Sequence, residues 1–370
     1  MRETAMSDYA FWQGKRVFVT GHTGFVGTWL SLWLHRLGAA AVIGYSDDMP
    51  TAPSMYRLCG MEHTMPWVRG DIRDVDKLTA ALREARPDIV FHLAGQSEHG
   101  GLHPTVEAIA VNVVGTASLL EAVRVVNQEH PIRAVIAVTA ADCYAPRELG
   151  PGYRESDSLG GGEPGSAGKA GAELVVSAFR RAYFAGRENV PAVATVRAGH
   201  LIGGGDFARG RLVPDCVRAA ADLRAAQPAA WPGGFRPWLH VLDALAGCLA
   251  LAQRLFPPGG GDFAEAWNLG PRAGDARTAA WLAEAVRTRL GGQPAELAAA
   301  IASRPNGGDA AEQPMAPALL DTTKAALRLG WRQRWEAEQS AQHAADWYAA
   351  WMKGAPMRDV TVSQIAQFEK

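Results

Sequence analysis

The sequence predicts an α/β protein with a doubly wound parallel sheet. Short apolar runs rich in β-branched residues alternate with longer helical patterns, which is typical of strand–helix–strand units. Crossovers between parallel strands are right-handed, so the helices should cover both faces of the sheet. The runs apolar enough to be strands buried on both faces are RVFVT (16–20), AAVIGY (40–45), DIVFHLA (88–94), AVIAVT (134–139) and AVATVRA (192–198).

The pattern changes after about residue 200, where glycine and proline become more frequent and the apolar runs shorten. The helical patterns of the whole chain lie at 27–38, 74–85, 106–126, 166–186, 276–302 and 335–352. We therefore predict a first domain over residues 11–200 and a smaller mixed domain over 201–355, with the chain crossing between the two. The smaller domain should cover the carboxyl edge of the sheet, where ligands bind in such folds.

Composition excludes several classes of function. Lysine and arginine total 37 against 38 acidic residues, which gives a net charge of −1, and no long basic run or arginine-rich face indicates a nucleic-acid partner. The four cysteines are scattered without paired or metal-type spacing, which indicates a reducing compartment and no metal site. The first residues lack the apolar core of a signal peptide, and no apolar run is predicted to span a bilayer. We expect a soluble, cytoplasmic protein.

A glycine-rich motif, VTGHTGFVG at 19–27, follows the first predicted strand and opens a helix. In a dinucleotide fingerprint of this type, Gly21 makes the tight turn, Gly24 lets the backbone approach a pyrophosphate and Gly27 allows close helix packing. The helix N-terminus then presents N–H groups and a positive dipole end to the phosphates. Thr23, Phe25 and Val26 belong to the same loop and are also expected to bind the cofactor, and the motif predicts a Rossmann-type nucleotide-binding domain.

The end of the second strand, YSDD at 45–48, supplies an acidic residue about twenty positions beyond the glycines. Asp47 is the candidate to accept a hydrogen bond from a ribose 2′-hydroxyl. No arginine follows to bind a 2′-phosphate, so the sequence favours NAD over NADP as the cofactor.

Blocks of sequence along nearly the whole chain closely resemble CDP-glucose 4,6-dehydratases of the extended short-chain dehydrogenase/reductase family. The resemblance covers about residues 11–352, with the blocks in the same order. The blocks are TGHTGFVGTWLSLWL, RGDIRD (69–74), HLAGQ (92–96), GYRESD (152–157), RAGHLIGGGDF (197–207), RLVPD (211–215), RPWLHV (236–241), AWNLGP (266–271) and LDTTKAALRLGW (320–331).

The resemblance implies roles for residues beyond the glycine-rich motif. Asp71 and Ile72 should flank the adenine, and the residues expected to line the rest of the cofactor are Leu93, Ala94, Gln96, Thr139 and Lys169. Arg211 and Arg236 should hold the phosphates of a nucleotide sugar, expected to be a CDP-hexose, because a guanidinium suits bidentate phosphate binding. His240 is the third expected substrate-binding residue.

The chain departs from the family pattern where the chemistry should occur. In the resembling enzymes a tyrosine one helical turn before a lysine takes the proton of the sugar 4-hydroxyl while hydride leaves for NAD. Here Lys169 is present and Gly165 stands at the tyrosine position. The family's Ser-Asp-Lys segment is replaced by Ala140, Ala141 and Asp142.

Three residues remain as candidates for replacement chemistry: Asp142, Tyr144 and His200, which stands where the family usually has asparagine. The hypotheses left open are a non-catalytic binder of NAD and a nucleotide sugar, a repurposed nucleotide-sugar enzyme, and an ordinary dehydratase whose tyrosine comes from elsewhere. A dehydratase, epimerase or isomerase acting on a 4-keto sugar would not need the tyrosine.

The resemblance also implies an assembly. The helices at 106–126 and 166–186 should pack against their copies as a four-helix bundle. Both carry apolar stripes, formed by Val106, Ile109, Val113, Leu174, Val175 and Phe179. We therefore predict a homodimer, or a heteromer with an active relative that uses the same surface.

Overall fold

The computed structural model describes residues 9–96, 105–147, 151–220, 235–291 and 319–370. Its centre is a seven-stranded parallel sheet. The strands of the described chain are β1 (Arg16–Thr20), β2 (Ala41–Ser46), β3 (Trp67–Arg69), β4 (Ile89–His92), β5 (Ala134–Ala140), β6 (Ala192–Ala198), β7 (His200–Ile202), β8 (Phe235–Arg236), β9 (Trp238–His240), β10 (Ala266–Leu269) and β11 (Arg277–Thr278).

The order of strands in the large sheet is β10-β6-β5-β4-β1-β2-β3. The order reverses between β1 and β4, which is the switch point of a Rossmann-type doubly wound sheet. The predicted fold class is therefore confirmed. All five predicted strands are present, with ends that differ by at most two residues, whereas β3 and β10 were not predicted.

Helices cover both faces of this sheet. They are α1 (Phe25–Arg36), α2 (Met55–Leu58), α3 (Val75–Ala85), α4 (Thr105–Val126), α5 (Pro164–Phe179), α6 (Leu212–Ala220), α7 (Val241–Leu255), α8 (Ala279–Leu290), α9 (Ala337–Met352) and α10 (Met357–Phe368). Of the predicted helix at 276–302, α8 (Ala279–Leu290) forms the first part, and residues 292–302 lie outside the described residues. Helices α2, α6, α7 and the C-terminal α10 were not predicted.

Strand β1 shows how the two faces are filled. Val17 and Val19 belong to one buried apolar cluster and Phe18 belongs to another, because successive side chains of a strand point to opposite faces. A strand buried on both faces must be apolar throughout, which is why the continuous runs in the sequence identified the sheet.

The chain returns to the large sheet after residue 200. Strand β10 pairs with β6, with Asn268 opposite Arg197, and α7 packs against β5 and β6. Between these elements, β7 pairs with β9 and β8 pairs with β11 in small two-stranded sheets. The division into domains at 11–200 and 201–355 stays a prediction.

Helix α4 corrects one statement made from sequence. It is 22 residues long with a mean hydropathy of 1.6 in its most apolar window, so by length and composition it could cross a membrane. Half of that window is buried inside the protein, as in the core helix of a soluble fold. One such helix is weak evidence for a membrane span, and cytoplasmic location stays a prediction.

A buried ion pair ties α5 to the sheet. Arg197 of β6 donates from Nη2 to Glu173 Oε2 of α5 at 2.9 Å, and both side chains are almost completely buried. Thr139 of β5 and Thr195 of β6 donate their hydroxyls to the same carboxylate at 2.6 and 2.8 Å. Helix α5 is thereby fixed against the ends of β5 and β6.

Candidate active site

The backbone geometry of the turn after β1 requires glycine at two positions. Gly21 has a φ of +70°, and a Cβ there would lie 2.7 Å from the backbone nitrogen of Ala94. A Cβ at Gly27 would collide with the carbonyl oxygen of Gly21, so α1 can approach the turn this closely only with glycine. These roles match those that the motif predicted, although ligand contact by either glycine stays a prediction.

Gly24 differs from the other two glycines because the fold itself has room for a side chain there. A Cβ would lie 3.4 Å from the oxygen of Gly21, an ordinary contact. Gly24 is the N-cap of α1, whose first N–H groups have no intrahelical partner and form an anion-binding end. The turn therefore fits a dinucleotide pyrophosphate, and a side chain at Gly24 would fill the cradle.

The neighbouring loop residues hold the turn in place. Thr23 donates its hydroxyl to the carbonyl oxygen of Asp48 at 2.8 Å, which joins the turn to the end of β2. Phe25 packs towards the backbone at Gly203, and Val26 is half-buried in α1. Asp47 is exposed just beyond β2, the place at which a ribose hydroxyl would be bound.

The predicted adenine side is partly occupied by internal contacts. The Asp71 carboxylate accepts hydrogen bonds from the Arg73 guanidinium, and this contact holds the pKa of Asp71 below its usual value. Tyr45 donates its hydroxyl to the carbonyl oxygen of Asp71 at 3.0 Å. Ile72 is buried and would block any side chain at Gly115 of α4.

The segment after β4 runs along the same edge of the sheet. The Ala94 amide donates to the hydroxyl of Thr20 at 3.2 Å. Gln96 exchanges two hydrogen bonds with the side chain of Asn112, which donates to its carbonyl oxygen and accepts from its amide. Asn112 was missed from the sequence because a single amide inside an apolar helix gives no motif.

Lys169 reaches this segment from α5. A Cβ added at Gly95 would collide with its Nζ, so the ammonium lies directly against the backbone after β4. Burial lowers the pKa of Lys169 to about 8, and the positive charge of Arg211 contributes. Among the described residues, Lys169 makes no ion pair with a carboxylate.

A small cavity of about 10 Å³ lies beside Lys169, close to the minimum that holds one water molecule. Its polar lining includes Thr139, Asn112 and His92. His92 is held by Thr20 at 2.8 Å and by Thr116 at 3.0 Å, and burial lowers its pKa to about 3. His92 is therefore neutral at physiological pH.

Asp142 and His200 are in contact. Nε2 of His200 lies 3.2 and 3.3 Å from the two carboxylate oxygens of Asp142. Asp142 follows β5 in a short 3₁₀ turn and His200 follows β6, and Ala140 pairs with Ala198 in register. Each residue therefore lies two positions beyond a paired position, at the edge of the sheet that binds ligands.

Tyr144, the third candidate for replacement chemistry, points elsewhere. Its side chain is buried and its hydroxyl donates to Asn268 Oδ1 at 2.7 Å while accepting from Arg197 at 2.8 Å. Its ring stacks on Tyr153 with centroids 4.7 Å apart, and burial raises its pKa far above the usual value. This placement favours a structural role for Tyr144, and its proposed proton transfer gains no support.

Of the three predicted substrate-binding residues, two arginines are partly exposed and one histidine is buried. Arg211 forms an ion pair with Asp206 at 3.0 Å and keeps part of its side chain exposed, while Arg236 lies partly exposed on β8. His240 is fully buried, where its Nδ1 accepts from the amide of Leu242 and caps α7. This placement favours a structural role as a helix cap, and substrate binding by His240 stays a prediction.

The model of the NAD dependent epimerase/dehydratase family matches residues 17–270. The chain belongs to this family. The CDP-glucose 4,6-dehydratase of Salmonella typhimurium is 40% identical over 98% of this chain and 98% of its own length. The resemblance that the sequence blocks indicated is therefore confirmed.

Solved structures share the fold at lower identity. The dTDP-glucose 4,6-dehydratase of Streptomyces venezuelae, solved with NAD and TYD bound, superposes with a TM-score of 0.71 at 23% identity, covering 90% of this chain and 96% of that one. The UDP-glucose-4-epimerase of Stenotrophomonas maltophila, with NAD and formylated UDP-arabinopyranose, gives 0.72 at 21% identity and covers 92% and 100%. At these identities the likeness shows the fold alone.

Replacing Lys169 with methionine should raise the free energy of unfolding of the ligand-free protein at pH 7, because a desolvated ammonium is removed. The pKa of the Lys169 ammonium is about 8 in the folded protein, against 10.5 for an unperturbed lysine such as that of the unfolded chain. The unfolded wild type therefore binds more protons between these values, its stability rises with pH there, and the gap to Lys169→Met narrows. Urea unfolding at pH 7 and pH 9 measures this.

The matched control is Lys77→Met, which removes an exposed ammonium from α3. Its effect on the free energy of unfolding should be small and similar at both pH values. An equal gain in stability from the two variants would contradict the placement of Lys169 in a desolvated site.

Proposed function

We propose that this protein binds NAD and a CDP-hexose but does not carry out the standard 4,6-dehydration. The observation that carries the proposal is at α5: Lys169 lies against the segment after β4, and Gly165, one helical turn earlier, has no side chain. The residues that would bind the cofactor are therefore present, whereas the side chain that would accept the proton of the sugar 4-hydroxyl is missing.

The cofactor would be held along the carboxyl edge of the sheet. The N-terminus of α1 behind Gly24 would bind the pyrophosphate, and Asp47 would accept hydrogen bonds from the adenosine ribose. The ammonium of Lys169 would donate to the nicotinamide ribose. NAD supplies a hydride acceptor when bound.

The nucleotide sugar would be bound by arginines outside the large sheet. Arg211 is oriented by Asp206 and Arg236 lies at the start of the RPWLHV block, so both can donate to a diphosphate. The choice of a CDP-hexose is supported by the 40% identity to the CDP-glucose 4,6-dehydratase of Salmonella typhimurium.

Standard dehydration would need an acid to release water from the sugar, and the segment after β5 offers none at the expected place. Ala140 and Ala141 carry only methyl groups, and Ala141 is completely buried against Cys143 and Tyr144. Each missing acid or base lowers a rate by roughly 100- to 10,000-fold. Together the losses make the elimination ineffective.

A second candidate function is a repurposed nucleotide-sugar enzyme acting on a 4-keto sugar. One observation favours it: Asp142 and His200, both at positions that depart from the family pattern, contact each other at the ligand-binding edge. The phenol of Tyr144 is engaged in the interior and is left out of this proposal.

The proposed assembly is a homodimer through α4 and α5. Val106 and Ile109 of α4 and Leu174 of α5 are exposed, and Val114 of α4 adds to the same apolar surface. Val113, Val175 and Phe179, which were also predicted for this surface, are only partly exposed. A heteromer with an active relative would use the same helices.

The variant Gly24→Val should abolish NAD binding while preserving the fold, since the added side chain occupies the cradle rather than a packed interior. Isothermal titration calorimetry with NAD measures the loss. The control Gly261→Val introduces the same side chain at an exposed position with no neighbour within 4 Å. Tight NAD binding by the Gly24 variant would contradict the placement of the pyrophosphate.

Incubation with CDP-glucose should give no 4-keto-6-deoxy product above trace, which mass spectrometry detects as the loss of one water from the sugar. Gly165→Tyr alone should permit at most reduction of bound NAD, seen by absorbance. Elimination should require Ala140→Ser, Ala141→Asp and Asp142→Lys as well, because such groups act as a unit. Robust dehydration by the unmodified protein would refute the proposal.

Light scattering at micromolar concentration should give the mass of a dimer. Leu174→Arg and Val114→Arg should shift it to the monomer, because a desolvated, unpaired guanidinium disfavours association. Leu327→Arg is the matched control, since Leu327 is 77% exposed outside α4 and α5. If the wild-type protein is a monomer, the proposed homodimer and its interface through α4 and α5 are both wrong.

A further inference from the structure

The contact between Asp142 and His200 has the geometry of a proton-transfer pair. A carboxylate can only accept hydrogen bonds, so the Nε2 of His200 that faces it at 3.2 Å must carry the hydrogen. The neutral ring then has its lone pair on Nδ1. No partner of Nδ1 occurs in the part of the chain that the structure describes.

The pair is neither a surface contact nor part of the packed core. The side chains of His200 and Asp142 retain 18% and 25% of their accessible surface, so part of each is open to solvent. Trp238 of β9 holds the ring by an edge contact, with centroids 5.5 Å apart. The histidine is thus oriented by a carboxylate on one side and an indole on another.

We propose that His200 is a general base, positioned by Asp142, that moves a proton on a carbon next to a carbonyl group of a nucleotide sugar. This rests on the proposed nucleotide-sugar binding. Such a substrate is already oxidised, so the reaction requires neither hydride transfer nor the phenol missing at Gly165.

The step balances without an oxidant or a reductant. Nδ1 of His200 takes the proton of the C–H bond, which breaks. The electron pair of that bond forms a carbon–carbon double bond, and the π pair of the carbonyl group moves onto its oxygen to give an enolate. The carboxylate of Asp142 stabilises the imidazolium that results. Return of a proton to the same carbon restores the ketone and either retains or inverts the configuration.

The test uses CDP-4-keto-6-deoxyglucose and the full-length protein in heavy water. Deuterium should enter at the carbons next to the ketone faster than in a protein-free sample, as followed by mass spectrometry and proton NMR. His200→Ala should lower the exchange rate by about 100- to 10,000-fold. Added imidazole should restore part of it, which a purely structural histidine would not allow.

Substitutions of Asp142 test its role in positioning His200. Asp142→Asn should lower the exchange rate by about 10- to 100-fold with little change in the KM for the keto sugar, as for other residues that orient a functional histidine. Asp142→Glu should recover part of the rate. The control is His63→Asn, because His63 is an exposed histidine 3.6 Å from Glu62 and should not affect exchange.

Three results would overturn the proposal, and the first two are distinguishable from the third. If calorimetry shows that the keto sugar binds but no exchange above the protein-free rate occurs, or that His200→Ala exchanges as fast as wild type, the proton-transfer role is wrong and the proposed binding stands. If the keto sugar does not bind, the proposed nucleotide-sugar function fails together with this inference.

Discussion

The buried ion pair between Glu173 and Arg197 is the interaction on which the site depends. It joins the middle of α5 to β6, and the hydroxyls of Thr139 and Thr195 donate to the same carboxylate. Removing one partner of such a pair costs about 3–5 kcal/mol, because the other charge is left buried and unpaired. Since Lys169 lies one turn before Glu173, the same contact fixes where its ammonium meets the sheet.

The parallel register of β5 and β6 determines which side chains meet beyond the ends of the two strands. Equal extensions beyond the paired residues Ala140 and Ala198 bring Asp142 and His200 together, although 58 positions separate them in the chain. The site therefore has two unlike ends. The turn around Gly24 has the features of a dinucleotide cradle, whereas the proposed reacting end presents a histidine–carboxylate pair.

Prediction from the sequence succeeded where a local pattern has one physical cause. Strands buried on both faces are apolar throughout, so β1, β2, β4, β5 and β6 could be located from composition alone. Strand β3 spans only Trp67–Arg69 and ends in arginine, and β10 (Ala266–Leu269) is interrupted by Asn268, so neither gives a continuous apolar run. They are strands because longer neighbours supply hydrogen-bond partners, and that information is not local.

The sequence by itself determined the sheet, the glycine-rich turn and the absence of a side chain at Gly165, since each is a property of adjacent residues. Tertiary structure alone decided the states of the polar candidates, because burial and partners come from distant segments. It placed Tyr144 in an interior network, made His240 a buried helix cap and lowered the pKa of Lys169 by desolvation. It also paired Asp142 with His200, because only the folded sheet brings the ends of two strands to one edge.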